Sequence, residues 1–121
     1  MGKRFYCGVD GPVVGTKKGK LRGDLYDKVY HFLGIRYAKA KRFHMPEEVD
    51  AWEGLKDAGS YGFICPVLSE PIPSGEVICP HRFWLSSEHC QYLNIWTPTI
   101  EKGAKKPVMV WFHGGGYTAG S

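Results

Sequence analysis

The sequence predicts an α/β protein of which these residues form a mostly β part, and three observations support this class. Residues 108–112 (Val-Met-Val-Trp-Phe) form a continuous apolar run with β-branched and aromatic members, which suits a strand buried on both faces. Three consecutive glycines, Gly114 to Gly116, follow this run and require a sharp turn. Upstream, several short strand patterns are separated by turn residues, and the only helical pattern is weak.

Composition excludes several classes of protein. A hydrophobic share of 43% and an aromatic share of 14% over 121 residues are typical of a globular chain. No apolar run approaches the roughly 20 residues that a membrane-spanning helix needs. The N-terminus is basic without an apolar stretch of signal-peptide length, and Tyr6 stands where a myristoylation motif has Ser or Thr. We therefore expect a cytoplasmic location and no membrane partner.

The net charge of +4 is unevenly distributed, because eleven of the sixteen Lys and Arg residues lie within residues 1–42. Nucleic-acid binding would place such charges along a helix or between stacking aromatic side chains, and neither pattern is present. The cationic cluster instead indicates a solvated hairpin tip, with no nucleic-acid partner. Its members are Lys17, Lys18, Lys20 and Arg22.

The elements of the first half are two short strands, a longer strand and a short helix. Residues 12–16 and 20–23 predict two strands around a Lys-Lys-Gly turn, and residues 28–37 predict a strand broken by Gly34. Residues 47–58 carry apolar side chains at a spacing of three, at 49, 52 and 55, which predicts one face of a short helix. Gly54 lies inside this segment and weakens the prediction.

The second half is predicted to contain a loop and two strands. Residues 66–80 are rich in Pro, Ser and Gly and predict a long irregular loop. Residues 91–97 predict a strand that Pro98 ends, and a polar connection leads to the final strand at 107–112. A strand of this composition needs a neighbouring strand on each side. The 121 residues alone therefore present an apolar unpaired edge, and we expect them to aggregate or to remain partly unfolded.

The glycine run has two interpretations on the residues alone. Backbone N–H groups at the carboxyl end of a parallel strand form a cradle for developing negative charge, as in an oxyanion hole. The run could equally serve as a tight turn. A phosphate-binding loop is excluded, because it needs Gly-Lys-Ser or Gly-x-Gly-x-x-Gly before a helix.

Four motifs, in the same order along the chain, resemble those of the type-B carboxylesterases, the family that includes the cholinesterases. Together they cover residues 12–121. Two features depart from the pattern: His89 stands where the family usually has Asp, and the link at residues 39–41 is shorter than usual. The matching segments are Gly34–Ala38 with Arg42, Phe43 and Pro46; Trp52, Asp57, Ala58, Cys65 and Pro66; Ser87–Trp96; and His113–Ser121.

The resemblance implies an α/β-hydrolase fold, with residues 1–121 as the N-terminal portion of a single domain. It implies a serine carboxylesterase that acts on small-molecule esters without a cofactor. The backbone N–H groups of Gly115 and Gly116 are expected to be oxyanion-hole donors, supported by Gly114 and His113. His113 is expected to steady the turn rather than to act as the catalytic His, which comes late in the chain in this family.

The resemblance also implies two structural contacts. Arg42 and Glu88 are expected to form an ion pair. Cys65 and Cys90 match positions that the family commonly bridges, so we expect a disulfide in an oxidising compartment and thiols in a reducing one. No Cys or His pair has the spacing of a zinc site, so no metal is expected.

The sequence contains no Gly-x-Ser-x-Gly, the motif that carries the nucleophile of an α/β-hydrolase. The Ser, the acid and the catalytic His are therefore expected beyond Ser121, from the remainder of the same domain. A catalytically inactive relative that serves as a binding or adhesion module is the alternative. The intact glycine turn favours the esterase, because an inactive relative does not need three glycines.

Overall fold

A computed structural model describes residues 4–66 and 85–115. Within these ranges the chain forms nine short strands and one turn of 3₁₀-helix, at Gly8–Asp10, and contains no α-helix. The strands are β1 (Phe5–Tyr6), β2 (Val13–Gly15), β3 (Lys20–Arg22), β4 (Asp24–Tyr26), β5 (Val29–Arg36), β6 (Ala38–Lys39), β7 (Glu47–Glu48), β8 (Leu55–Asp57) and β9 (Tyr92–Thr97). None of the described helical residues forms a helix long and apolar enough to span a membrane.

The described strands form three sheets. The largest is antiparallel, with the order β1-β4-β5-β9, and a three-stranded sheet has the order β2-β3-β8. A third sheet pairs β6 with β7. The predicted hairpin is present, because β2 pairs with β3 in antiparallel fashion and the Thr16 N–H donates to the Gly19 carbonyl oxygen at 2.8 Å across the turn.

The longest strand, β5, contains the predicted irregularity at Gly34. Its register against β9 shifts between Phe32 and Ile35, which is a β-bulge. The N–H of Gly34 donates to the Asn94 side-chain oxygen at 2.9 Å. A residue of β9 therefore satisfies a backbone donor that the interrupted ladder leaves without a strand partner.

A small core joins the two larger sheets. Leu21 of β3, Phe32 of β5 and Ala58, which follows β8, are buried together, and Trp52 packs against them. The Ala58 N–H donates to the Arg22 carbonyl oxygen, and the Leu33 N–H donates to the Ala58 carbonyl oxygen. Ala58 thus links β3 to β5 through its backbone as well as through its side chain.

The helix predicted over residues 47–58 is wrong. The segment is extended, with β7 at one end and β8, parallel to β3, at the other. Gly54 has a φ of +77°, which a right-handed helix does not allow. The Trp52 N–H donates to the Lys18 carbonyl oxygen at 2.7 Å and its indole Nε1–H donates to the Lys20 carbonyl oxygen at 3.0 Å. Contacts with the hairpin therefore override a weak helical pattern.

The strand predicted at residues 107–112 is not formed in the structure, and its apolar side chains are not buried. Val108 to Phe112 have exposed fractions from 68% to 93%. A strand needs a hydrogen-bonded neighbour, and none of the described strands pairs with this segment. Most of the predicted loop at 66–80 lies outside the described residues.

Candidate oxyanion turn

The candidate site follows the exposed apolar segment, at His113 to Gly115. His113 Nδ1 lies 2.8 Å from the Gly114 carbonyl oxygen. A carbonyl oxygen can only accept, so this contact places a proton on Nδ1. Gly115 has a φ of +128°, a backbone conformation that residues with a Cβ rarely adopt. The fourth candidate, Gly116, lies outside the described residues.

The turn is open to solvent in this chain. His113, Gly114 and Gly115 are all exposed. Hydrogen-bond donors stabilise a developing negative charge most strongly in a site that excludes water, where the dielectric constant is low. The described residues therefore contain part of a potential oxyanion site without the surface that would cover it.

In the structure, Arg42 and Glu88 form a bidentate ion pair. Arg42 Nε donates to one carboxylate oxygen of Glu88 at 3.2 Å, and Arg42 Nη2 donates to the other. The hydrogen bond to Arg42 lowers the pKa of the Glu88 carboxyl, and the bond to Glu88 raises the pKa of Arg42. Both side chains are exposed, so the pair contributes little to stability. Its location ties the chain after β6 to the chain before β9.

Cys65 and Cys90 lie close together as free thiols. Burial, above all, raises the pKa of the Cys90 thiol, and a hydrogen bond with Cys65 raises it further. Both effects favour the protonated thiol over the thiolate. The disulfide stays a prediction. Cys7 is a free, exposed thiol, whereas Cys79 lies outside the described residues.

His89, one of the departures from the family pattern, contacts Arg36 of β5. Arg36 Nη2 lies 3.4 Å from Nδ1 of His89. A guanidinium only donates, so His89 Nδ1 is the acceptor in this contact. The sequence alone gives no reason to expect this pair, because it forms only where β5 and the segment before β9 lie side by side.

Three further ion pairs connect the basic first third of the chain to the acidic segment that follows it. They join Lys18 to Glu48 at 2.6 Å, Arg22 to Asp57 at 2.7 Å and Lys39 to Asp50 at 2.5 Å. The sequence analysis missed these partners, although the change from basic to acidic residues near position 43 was a signal. Lys18 and Arg22 of the cationic cluster are therefore paired with carboxylates and are not only solvated.

The described residues contain no group of three or more His, Cys, Asp or Glu side chains that could hold a metal ion. This statement covers residues 4–66 and 85–115.

Comparison with known proteins identifies relatives along almost the whole chain. Residues 10–121 match the model of the carboxylesterase family. The chain is 36% identical over 113 residues to a para-nitrobenzyl esterase of Bacillus subtilis, and the match covers 90% of this chain and 22% of that protein. The chain thus spans about a fifth of the length of the relatives it matches.

Solved structures give the same result. An esterase from Clostridium hathewayi, described as hydrolysing aliphatic aromatic polyesters, superposes with a TM-score of 0.88 at 52% identity, covering 99% of this chain and 24% of that one. A carboxylesterase of Geobacillus stearothermophilus superposes with a TM-score of 0.70 at 41% identity, covering 90% and 21%. These neighbours are α/β-hydrolases, which confirms the predicted class: the mostly β, N-terminal part of that fold. The chain belongs to the carboxylesterase family.

Proposed function

We propose that the protein containing this chain is a serine carboxylesterase, and that residues 1–121 form the N-terminal portion of its single α/β-hydrolase domain. The observation that carries the proposal is the glycine turn at 113–116 in a chain of this family. In the reaction, a serine hydroxyl attacks the ester carbonyl and forms an acyl-enzyme, which water then hydrolyses.

The role of this segment is to stabilise the oxygen that becomes negatively charged during the attack. The backbone N–H groups of Gly115 and Gly116 donate to this oxygen from about 3 Å, and a third donor comes from the residue after the nucleophile. A side chain at either position would clash with the acyl group or force the amide away. The φ of +128° at Gly115 adds a conformational reason for glycine there.

The exposed apolar segment supports the proposal that the rest of the domain covers this chain. Five consecutive residues, Val108 to Phe112, leave most of their side-chain surface in water, which is unusual for a contiguous stretch of large apolar side chains. Strands on both sides would satisfy the backbone of the segment and would bury these side chains. The same cover would exclude water from the glycine turn.

The substrates that we propose are small-molecule carboxylic esters, in keeping with the relatives named as esterases. The hydrolysis of an ester by a Ser–His–acid triad requires no cofactor. No nucleic-acid or membrane partner is part of the proposal, and the cytoplasmic location stays a prediction from the sequence.

The direct test uses the full-length protein and para-nitrophenyl acetate, with a fluorophosphonate as a covalent probe. We expect ester hydrolysis, one probe molecule bound per protein at a serine beyond Ser121, and loss of hydrolysis in step with labelling. The 121-residue chain serves as the matched control and should show neither, because it contains no Gly-x-Ser-x-Gly. A folded full-length protein that neither hydrolyses esters nor takes up the probe contradicts the proposal and supports a non-catalytic role.

A further inference from the structure

A strained turn lies between β6 and β7, at residues 41–44. The His44 N–H donates to the Lys41 carbonyl oxygen at 3.0 Å and closes the turn. Phe43, its third residue, has a φ of +63°. A turn with a positive φ at its third residue favours glycine or asparagine there, and a bulky side chain in this conformation is an outlier. The backbone of Phe43 is therefore strained.

Burial against the described residues does not offset this strain. The Phe43 side chain is 98% exposed, and Met45, two residues later, is 84% exposed. The Arg42 guanidinium lies 5.8 Å from the centre of the Phe43 ring, and such a contact is weak at an exposed site. A glycine or a polar residue would avoid both the strain and the exposure. The contacts of the described chain thus give no reason for a phenylalanine at this position.

The turn is nevertheless fixed to the rest of the described chain. Arg42, next to Phe43, forms the bidentate ion pair with Glu88 and so connects the turn to the segment before β9. The strands on either side of the turn, β6 and β7, pair with each other. The Phe43 ring therefore projects into solvent from a supported loop. A side chain displayed in this way loses little conformational freedom when it binds a partner surface.

We propose that Phe43, together with Met45, is an anchor that inserts into an apolar pocket in the part of the domain that follows Ser121. This inference rests on the proposed function, which makes residues 1–121 the N-terminal portion of a larger domain. The length of the relatives carries the choice of occupant, because the chain spans 22% of one relative and 24% of another. Burial of an aromatic ring is a large favourable contribution, and here it compensates for the strained backbone.

The substitution Phe43→Gly gives effects of opposite sign for an anchor and for an exposed ring. Glycine adopts a φ of +63° without steric cost, so the variant relieves the strain and removes the ring. An exposed ring contributes nothing that this variant could lose. Lys105→Gly is the matched control, because Lys105 is also exposed and has a φ of +46°. The control includes the greater freedom of glycine in the unfolded chain.

The first measurement is the urea midpoint of the full-length protein and of the two glycine variants. We expect Phe43→Gly to lower the midpoint by about 0.5 M or more, because the loss of a buried ring outweighs the relief of strain. Lys105→Gly should leave the midpoint unchanged or raise it. A Phe43 variant with a midpoint equal to that of the Lys105 variant, or above it, overturns the inference.

The second measurement identifies the surface that the side chain contacts. The photo-reactive residue p-benzoyl-phenylalanine replaces Phe43 in the full-length protein, and mass spectrometry locates the cross-links after irradiation. We expect cross-links within one molecule, to residues beyond Ser121. Cross-links to residues 67–84, cross-links to a second molecule, or the absence of cross-links overturn the inference. Each of these results leaves ester hydrolysis by the unmodified protein intact, whereas failure of the proposed function abolishes it, so the two failures are distinguishable.

Discussion

The hairpin region, residues 12–58, and the terminal segment, residues 107–115, differ in where their partners are. In the hairpin region, apolar side chains such as Phe32 are buried, and Lys and Arg side chains are paired with carboxylates of the following segment. In the terminal segment, Val108 to Phe112 are exposed and unpaired with any described strand. The first region is organised by contacts within the chain, whereas we propose that the second is covered by the rest of the domain.

The largest expected effect is on catalysis, in the terminal segment. Gly115→Ala in the full-length protein should lower kcat by about 10²–10³, the usual loss for one oxyanion donor, because a Cβ at a φ of +128° forces the amide to move. Gly114→Ala should cause a smaller loss. Steady-state hydrolysis of para-nitrophenyl acetate measures both. Equal losses at the two positions would mean that the difference in backbone conformation does not matter.

The second effect is on stability and compares the two regions directly. Phe32→Ala should lower the free energy of unfolding of the full-length protein by about 3–5 kcal/mol, because it leaves a cavity in the small core. Trp111→Ala should cost a similar amount there, if the rest of the domain buries this side chain. Urea denaturation measures both. If the free energy of unfolding of the Trp111 variant lies within about 0.5 kcal/mol of that of the unmodified protein, which is the range of a surface substitution, the segment stays exposed.

A smaller effect concerns the segment that was predicted to be a helix. Trp52→Phe keeps the aromatic packing but removes the Nε1–H bond to the Lys20 carbonyl, so it should cost about 0.5–1.5 kcal/mol. Trp111→Phe is the matched control in the terminal segment and should cost less. Urea denaturation measures the free energy of unfolding of both variants. A neutral Trp52 variant would show that the indole hydrogen bond does not help to hold the segment on the hairpin.

The smallest effect is the pH dependence of the ion pairs. Hydrogen bonds to Lys18 and Lys39 lower the pKa of Glu48 and Asp50 below their values in the unfolded chain, so the folded state favours the ionised form. This stabilisation is present above about pH 4.5, near the unfolded pKa values, and is lost as the pH falls through the folded ones. Both carboxylates are exposed, so the effect is small.

The measurement is the urea midpoint of the protein between pH 3 and pH 6. Glu48→Gln with Asp50→Asn should flatten the decline below about pH 4.5. Glu101→Gln is the matched control, because Glu101 forms no ion pair with the residues that the structure describes, and should leave the decline unchanged. A double variant with the unmodified profile would show that these pairs do not link folding to pH.

Local signals predicted the elements that local contacts determine. The Lys-Lys-Gly turn predicted the β2–β3 hairpin, and Gly34 predicted the interruption of β5, because both depend on backbone conformation over a few residues. The segment at 47–58 was mispredicted because its conformation depends on hydrogen bonds from Trp52 to residues more than thirty positions away. The local periodicity of apolar residues carries no information about contacts between residues so far apart in the sequence.

The candidate site likewise has features that the sequence predicted and features that it could not predict. The glycine run and the resemblance predicted which residues form the candidate turn, since motif order is a property of the sequence. The anchoring of the Gly114 carbonyl by His113 required coordinates, because neighbours in sequence can adopt many relative orientations. The burial predicted for Val108 to Phe112 depends on strands from outside the described residues.

The most direct test of the account is a crystal structure of the full-length protein with a trifluoromethyl ketone on its nucleophile. The account predicts the adduct oxygen about 3 Å from the backbone nitrogens of Gly115 and Gly116, with the Gly114 carbonyl bonded to His113. Amides that are turned inward and bonded to other protein groups, with the oxygen held elsewhere, would contradict it.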